Sequence, residues 1–203
     1  MKILIIPTLN ERKNILNLFN KIKRFNHKLD FLFVDDNSTD GTREEILKLC
    51  KKNKTVSYIF RPKKMGIGSA HKDAIRYAYK KKYNTILTMD ADGTHDPKYI
   101  KNLLKFSKNF DLISTNRFIN KNSLIEWPIQ RRFLTRTRYY LINILLNMTY
   151  DSSGAFRCYN TKKIKLNDIL DAKNNGYSFF WESLYFLNKK KYSIKEIPIY
   201  LPY

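Results

Sequence analysis

Cysteine is nearly absent from this 203-residue chain, long apolar runs are missing altogether, and acidic residues are scarce. Cys50 and Cys158 make neither a disulfide framework nor a metal-ligand set, which points to a reducing compartment. No apolar run approaches the roughly 20 residues that a membrane-spanning helix needs. Met1-Lys2-Ile3-Leu4-Ile5-Ile6-Pro7 is too short for a signal peptide and reads as a first strand. A cytoplasmic chain is expected, with any membrane contact peripheral. Asp+Glu number 18 against Lys+Arg 39, a net charge of +21. That excess attracts polyanions: nucleic acid, an anionic membrane surface or phosphorylated substrates. The lysines are scattered in short clusters such as Lys80-Lys81-Lys82, so a solvated surface also accounts for any one of them. No linker, repeat or low-complexity stretch divides the sequence. Apolar residues are plentiful, 43% of the chain with aromatics at 14%, which excludes disorder and suffices for the core of one domain.

The first half alternates strand and helix patterns. Strands are predicted at Lys2–Ile6, Phe31–Val34, Val56–Phe60, Thr85–Met89 and Asp111–Thr115. Helices are predicted from an Asn10 cap to about Arg24, over Arg43–Lys52 after Asp40 or Thr42, over Ser69–Lys81, and onward from Pro97, which suits a first helical position. This order implies an α/β fold, a mostly parallel sheet flanked by helices. Beyond it, Trp127–Met148 reads as a helix with a basic half and an apolar end, Gly176–Lys189 as another helix, and Tyr192–Ile199 as a last strand.

The strand ends carry the chemistry. Met89-Asp90-Ala91-Asp92 places two carboxylates just past an apolar strand, at the edge where open α/β sheets bind ligands. Two such acids repel each other unless a cation neutralises them. Oxygen-only ligands favour Mg²⁺ or Mn²⁺, with substrate phosphate oxygens completing the shell. A solvated acidic turn is the plainer alternative. Val34-Asp35-Asp36-Asn37-Ser38-Thr39-Asp40-Gly41-Thr42 is a second acidic loop after a second strand, able to accept hydrogen bonds from a ribose or a base edge, or to serve as an Asx-turn feeding a helix. Arg61-Pro62-Lys63-Lys64-Met65-Gly66-Ile67-Gly68-Ser69-Ala70 follows a third strand. Its glycines let the backbone approach a ligand, and its cations can face a diphosphate near a helix N-terminus. His27, His71 and His95 show no ligand spacing and read as surface or hydrogen-bonded structural residues.

Together with Pro7-Thr8-Leu9-Asn10-Glu11, His95-Asp96-Pro97, Asn116-Arg117, Arg131-Arg132, Asp151-Ser152-Ser153-Gly154-Ala155-Phe156-Arg157, Gly176-Tyr177-Ser178-Phe179…Glu182 and Glu196-Ile197-Pro198-Ile199, these motifs fall in an order that resembles the family-2 inverting glycosyltransferases. Within them the chain is most similar to the polyprenyl (dolichyl) phosphate mannose synthases. The resemblance covers nearly the whole chain. It implies a single glycosyltransferase domain of the nucleotide-diphosphosugar (GT-A) type, with a nucleotide-sugar half over about 1–116 and an acceptor half over about 117–203.

By position, Pro7, Asn10, Glu11, Asp36 and Lys64 are implied to hold the nucleotide, with Asp35 shaping that loop and Gly68 and Ala91 belonging to the same binding motifs. Asp90 and Asp92 are implied to bind the metal bridging the diphosphate, with Asp92 counted as catalytic. Thr94 stands where some relatives place a metal-contacting Gln and receives no ligand role. Arg117, Arg131 and Arg157 suit an acceptor phosphate, because a guanidinium grips phosphate through paired hydrogen bonds. Asp151 is the candidate general base for a hydroxyl acceptor.

The implied donors are GDP-mannose first and UDP-glucose second. The implied partners are a polyprenyl phosphate, an anionic membrane surface on its cytoplasmic face and a membrane-anchoring subunit. Nucleic acid is disfavoured, since basic nucleic-acid binders need no paired aspartates at strand ends. The basic half of the Trp127–Met148 helix could meet lipid phosphates and its apolar end acyl chains, whereas an ordinary core helix would bury that end. The chain stops at Tyr203, ahead of a loop with an arginine and a Gly-x-Ser-Lys element that relatives carry and that is expected to help close the site.

Overall fold

Ile3 to Ile6 are apolar without a break, and the chain buries both faces of the strand they form, β1 (Lys2–Thr8). Continuous apolar runs of this kind suit a parallel sheet covered by helices on each side. In the computed structural model, which describes residues 1–25, 27–120 and 122–202, β1 pairs in parallel with β2 (Asp30–Asp35) and with β4 (Thr85–Thr88). The outer strand β3 (Val56–Phe60) is parallel to β2. Alternate residues of β1 then separate two cores. Leu4 and Ile6 pack with α1 (Arg12–Lys23), α2 (Thr42–Lys52) and α4 (Ile100–Phe106). Ile3 and Ile5 pack with α3 (Ile67–Lys80), α6 (Leu166–Leu170) and α7 (Ser178–Lys189).

The second half departs from the expected run of parallel strands. A short strand not predicted from the sequence, β6 (Arg157–Asn160), lies antiparallel between β4 and β5 (Leu112–Asn116), and β7 (Ile194–Pro198) pairs in parallel with β5. The order is β3-β2-β1-β4-β6-β5-β7. β6 escaped the sequence reading because Arg157 occupies a strand position that is fully buried, against the usual rule for a charged residue. Its antiparallel direction has a consequence for function. The start of β6 lies at the same sheet edge as the ends of β1, β2, β4, β5 and β7, so the 151–156 segment joins the acidic loops there.

Two local expectations also fail. Asn10 does not cap α1: it has φ +59°, its side-chain oxygen accepts from Thr39 N, and its own N–H donates to Ser38 Oγ. The long helix is α5 (Ile129–Leu146), bounded by Pro128 and by a left-handed Asn147, and none of its residues is buried. Its apolar end is therefore not core. Among the described residues no helix is long and apolar enough to cross a membrane.

Candidate active site

Two aspartates at the end of β2 organise this sheet edge, and of the two only Asp36 lines its cavity. Asp35 is wholly buried and accepts hydrogen bonds from Thr8 Oγ1, Ser38 N and Arg43 Nε. Burial works against its charge, but the bonds from Ser38, Arg43 and Thr8 outweigh it and hold the carboxyl below the usual range. Asp35 thus braces its own loop from inside. Asp36 accepts from Arg61 and from the backbone N–H of Met65 and Gly66, each at 2.9 Å, and so clamps the Lys64–Gly66 turn onto the end of β2.

The glycines of that turn serve a packing need. Gly66 has φ +95°, and a Cβ there would lie 2.4 Å from Asn175 O. A Cβ on Gly68 would lie 2.6 Å from both Gly176 O and Phe179 Cβ. Gly68 therefore allows the loop before α7 to sit on α3 and does not face a ligand, which corrects its placement among the nucleotide-binding residues. Lys72 reinforces that seat through Lys173 O and Asn175 Oδ1.

Above this platform is a cavity of about 350 Å³ whose walls include Pro7, Glu11, Asp36, Lys64, Ala91 and the Asp90/Asp92 pair. Asn10 ties two loops together behind the wall and is not part of it. Burial raises the carboxyl pKa of Glu11 against the hydrogen bond from Asn14, and the nearby acids Asp92, Asp40 and Asp90 add to the rise.

The acid pair closes one end of this cavity. Asp92 Oδ1 accepts from Thr94 N and Thr94 Oγ1, so Thr94 orients the carboxylate and leaves its second oxygen to the cleft. Asp90 is steadied through its backbone, whose N–H donates to His95 Nδ1 at 3.1 Å. That bond places the His95 proton on Nε2. Burial lowers the His95 pKa, so the ring is a neutral support, tilted against Phe156 with ring centroids 5.0 Å apart. Burial raises the Asp90 carboxyl, and Asp92 beside it pushes the same way. A cation would relieve both costs. Among the described residues no group of three or more His, Cys, Asp or Glu could hold a metal alone. Two oxygen donors backed by a diphosphate-sized cavity fit Mg²⁺ or Mn²⁺, whose remaining positions would come from substrate oxygens and water.

A second cavity of about 580 Å³ adjoins the first and shares Asp90, Asp92 and Tyr177 with it. Arg117, Arg131 and Arg138 all line it. Arg117 is held by Asp151, whose Oδ2 accepts from its Nε at 2.8 Å and its backbone N at 3.2 Å. Arg131 lies over the Trp127 ring at 4.2 Å, and Trp127 in turn donates to Leu201 O. Burial lowers the Arg138 pKa and Arg117 adds to this, against the pull of Asp151.

A cavity at the strand ends and a cationic cavity meeting at an acid pair are suited to group transfer, and comparison with known proteins agrees. Residues 3–166 match the family model described as Glycosyl transferase family 2. This chain is a family-2 glycosyltransferase. It is 28% identical over 197 residues to the undecaprenyl-phosphate mannosyltransferase of Micrococcus luteus, covering 96% of this chain and 81% of that protein. It is 27% identical over 201 residues to the polyprenol monophosphomannose synthase of Mycolicibacterium smegmatis, covering 97% and 76%. Its fold is similar to that of glucosyl-3-phosphoglycerate synthase from Mycobacterium tuberculosis, solved with Mn²⁺, uridine diphosphate and glucosyl-3-phosphoglycerate. That match has a TM-score of 0.65 at 13% identity and covers 98% of this chain and 69% of that one. The expected GT-A architecture is the one found.

Two residues of the transferase stand elsewhere than expected. Arg157 is fully buried, donating to Ser183 Oγ, Ser152 O and Phe180 O, so it braces α7 and cannot reach an acceptor phosphate. Asp151 is 1% exposed and its carboxylate is engaged by Arg117 and by Ser153 N and Oγ. It sits behind the cleft as the partner of Arg117, not in it as a base. Arg138 was missed. The available signal was its spacing of seven from Arg131, two helical turns along one face.

Proposed function

We propose that this glycosyltransferase moves a mannosyl group from a nucleotide diphosphosugar to a polyprenyl phosphate at a membrane surface, inverting the anomeric carbon. GDP-mannose is the first donor to test and UDP-glucose the second. The observation that carries the reading is the cationic cavity: three arginines line it, and among the described residues its only carboxylates are the Asp90/Asp92 pair. A hydroxyl acceptor needs a base to remove its proton. A phosphate monoester, with a second pKa of about 6, is already ionised at neutral pH and needs cations to hold it. The two curated relatives, whose names specify polyprenyl-phosphate mannose transfer, support the same acceptor.

In this mechanism Pro7, Glu11, Asp36 and Lys64 hold the nucleotide, and Lys64 offers a charge to the diphosphate. Asp90 and Asp92 would hold Mg²⁺ or Mn²⁺, which would supply Lewis-acid stabilisation of the departing nucleoside diphosphate. Arg117, Arg131 and Arg138 receive the acceptor phosphate in the cavity that adjoins the nucleotide cavity at the acid pair. The test is transfer of labelled mannose to a short polyprenyl phosphate and to the dephosphorylated polyprenol, with the product anomer read by NMR. The phosphate should be used with inversion and the alcohol ignored. Preference for the alcohol, or for a sugar hydroxyl, would move the chain to a hydroxyl-directed transferase.

The membrane setting rests on α5. Ile129, Phe133, Ile144 and Leu145 on it are 80%, 68%, 76% and 78% exposed, on the helix that also delivers Arg131 and Arg138 to the cavity. Apolar side chains beside cations suit a bilayer whose headgroups are anionic. Burying one such side chain is worth about 1.5–3 kcal/mol. Ile144→Asp with Leu145→Asp should therefore weaken vesicle co-sedimentation at least about tenfold. Raised salt should weaken binding to anionic vesicles as well, since screening shortens to about 8 Å at physiological ionic strength. Equal binding by the variant, or no preference for anionic over neutral lipid, counts against this setting.

A further inference from the structure

Glu196 received no role from its motif, yet it lies under the acceptor cavity at a junction of two loops. Its Oε1 accepts from Asp151 N at 2.6 Å and its Oε2 from Asn116 Nδ2 at 2.8 Å. Asn116 immediately precedes Arg117, and its Oδ1 accepts from Phe118 N, so the same side chain staples the turn that carries Arg117. Asp151 is the residue whose carboxylate grips the Arg117 guanidinium. One carboxylate thus holds both the backbone from which Arg117 springs and the acid that aims it.

We propose that Glu196 is a positioning residue: by tying Asn116 to Asp151 it fixes the direction in which Arg117 presents its guanidinium to the acceptor phosphate. The proposal rests on the acceptor reading above for its kinetic consequence, and on the hydrogen-bond geometry alone for the coupling of Glu196 to Arg117.

Both bonds need Glu196 as an acceptor. The groups facing its two oxygens are N–H donors, so a proton on the carboxyl would confront one of them and release one half of the clamp. The charged and titratable surroundings come from several elements. Asp151 faces it from the loop before β6, and Arg157 stands across Ser114 in the strand row β6-β5-β7. Tyr139 on α5 and Tyr150 also feel its charge. Burial pushes the Glu196 carboxyl up to about 7; Asn116, the Asp151 N–H and Arg157 oppose the rise, while the Asp151 carboxylate adds to it. The clamp is therefore complete above about pH 7 and loosens as pH falls through that value.

Two measurements on the intact chain test this. The first is the Arg117 Nε–H cross-peak, assigned by its disappearance in Arg117→Lys. In the wild type it should be sharp at pH 8.5 and broaden as pH falls through about 7. In Glu196→Gln, whose amide turns a donor toward one N–H, it should be broad at every pH. The second is the pH profile of KM for a short polyprenyl phosphate. Glu196→Gln should raise this KM by about 10- to 100-fold at pH 8.5, the loss typical of outer-shell partners, with the donor KM unchanged. The variant should also keep only the pH dependence of the substrate phosphate itself, near about pH 6. An Arg117 cross-peak that is alike in wild type and variant across the pH range overturns the positioning role whatever the acceptor. Donor and acceptor KM rising together also overturn it, since that marks general damage. If the cross-peak behaves as stated but the wild type ignores polyprenyl phosphates, the positioning stands and the acceptor reading falls.

Discussion

Arg117→Ala should lower kcat/KM for a polyprenyl phosphate by about 30- to 4000-fold, the equivalent of roughly 2–5 kcal/mol for removing one partner of a desolvated charge pair. The side chain is 10% exposed and lines the cationic cavity, so the acceptor phosphate would lose a contact that water cannot restore. Arg131→Ala should follow in the same direction, by less, because Arg131 is exposed and rests on the Trp127 ring. Asp151→Asn should cost least of the three, about tenfold. Its amide oxygen can still accept from Arg117, and no proton has to be taken from a phosphate that is already ionised. Arg117→Ala also strands Asp151 as a buried charge, so its melting temperature should be recorded with the kinetics. Arg117→Lys separates the two effects, since it keeps a counter-charge for Asp151 but loses the planar fork. The opposite ranking, with Asp151→Asn dead and both arginine variants active, would make Asp151 a general base and exclude a phosphate acceptor.

Chelation of divalent metal should abolish binding of the nucleotide diphosphosugar, and Asp92→Asn should weaken the metal-linked part by more than the 10- to 100-fold that outer-shell changes produce. Asp92 is exposed, and its bonds to Thr94 can be made by an asparagine oxygen, so the fold should not suffer. The metal-free variant should melt no lower than the wild type, because one member of a self-repelling pair has been neutralised. Calorimetric titration of GDP-mannose with Mn²⁺ and with chelator reads both effects. Equal affinity in the two conditions would remove the metal from the site and leave Lys64 as the main charge facing the diphosphate.

The legible part of this protein lies where the sequence pattern reports a local requirement. Leu4 and Ile6 alternate with Ile3 and Ile5 on a strand apolar throughout, which is the signature of a sheet covered on both faces. Asp90-Ala91-Asp92 after Thr85–Thr88, and Asp35-Asp36 after Asp30–Val34, are acids at the ends of parallel strands, and parallel strands must present those ends together. Pro7, Glu11, Asp36, Lys64 and the acid pair, which the family resemblance grouped together, line one cavity at that edge.

The cationic cavity depended on tertiary structure, because there the deciding variable is which way a side chain faces. Arg117 and Arg157 look alike in sequence, yet one lines the cavity and the other is buried among the carbonyls of Ser152 and Phe180. The direction of β6 decides this: it carries Arg157 into the sheet interior, a placement no period of the chain announces. Asp151 and Glu196 are 45 residues apart and become one clamp only because β5 lies between β6 and β7. The apolar end of α5 could equally have been core. Its exposure follows from the other helices having already covered both sheet faces, leaving it no apolar surface to bury against. Sequence alone thus determined the α/β frame, the family and the acidic sheet edge, since periodicity and strand-end chemistry are local. Tertiary structure decided which arginines line the cationic cavity, which carboxylates brace them and which helix stays uncovered, since these are set by packing between segments distant in the chain.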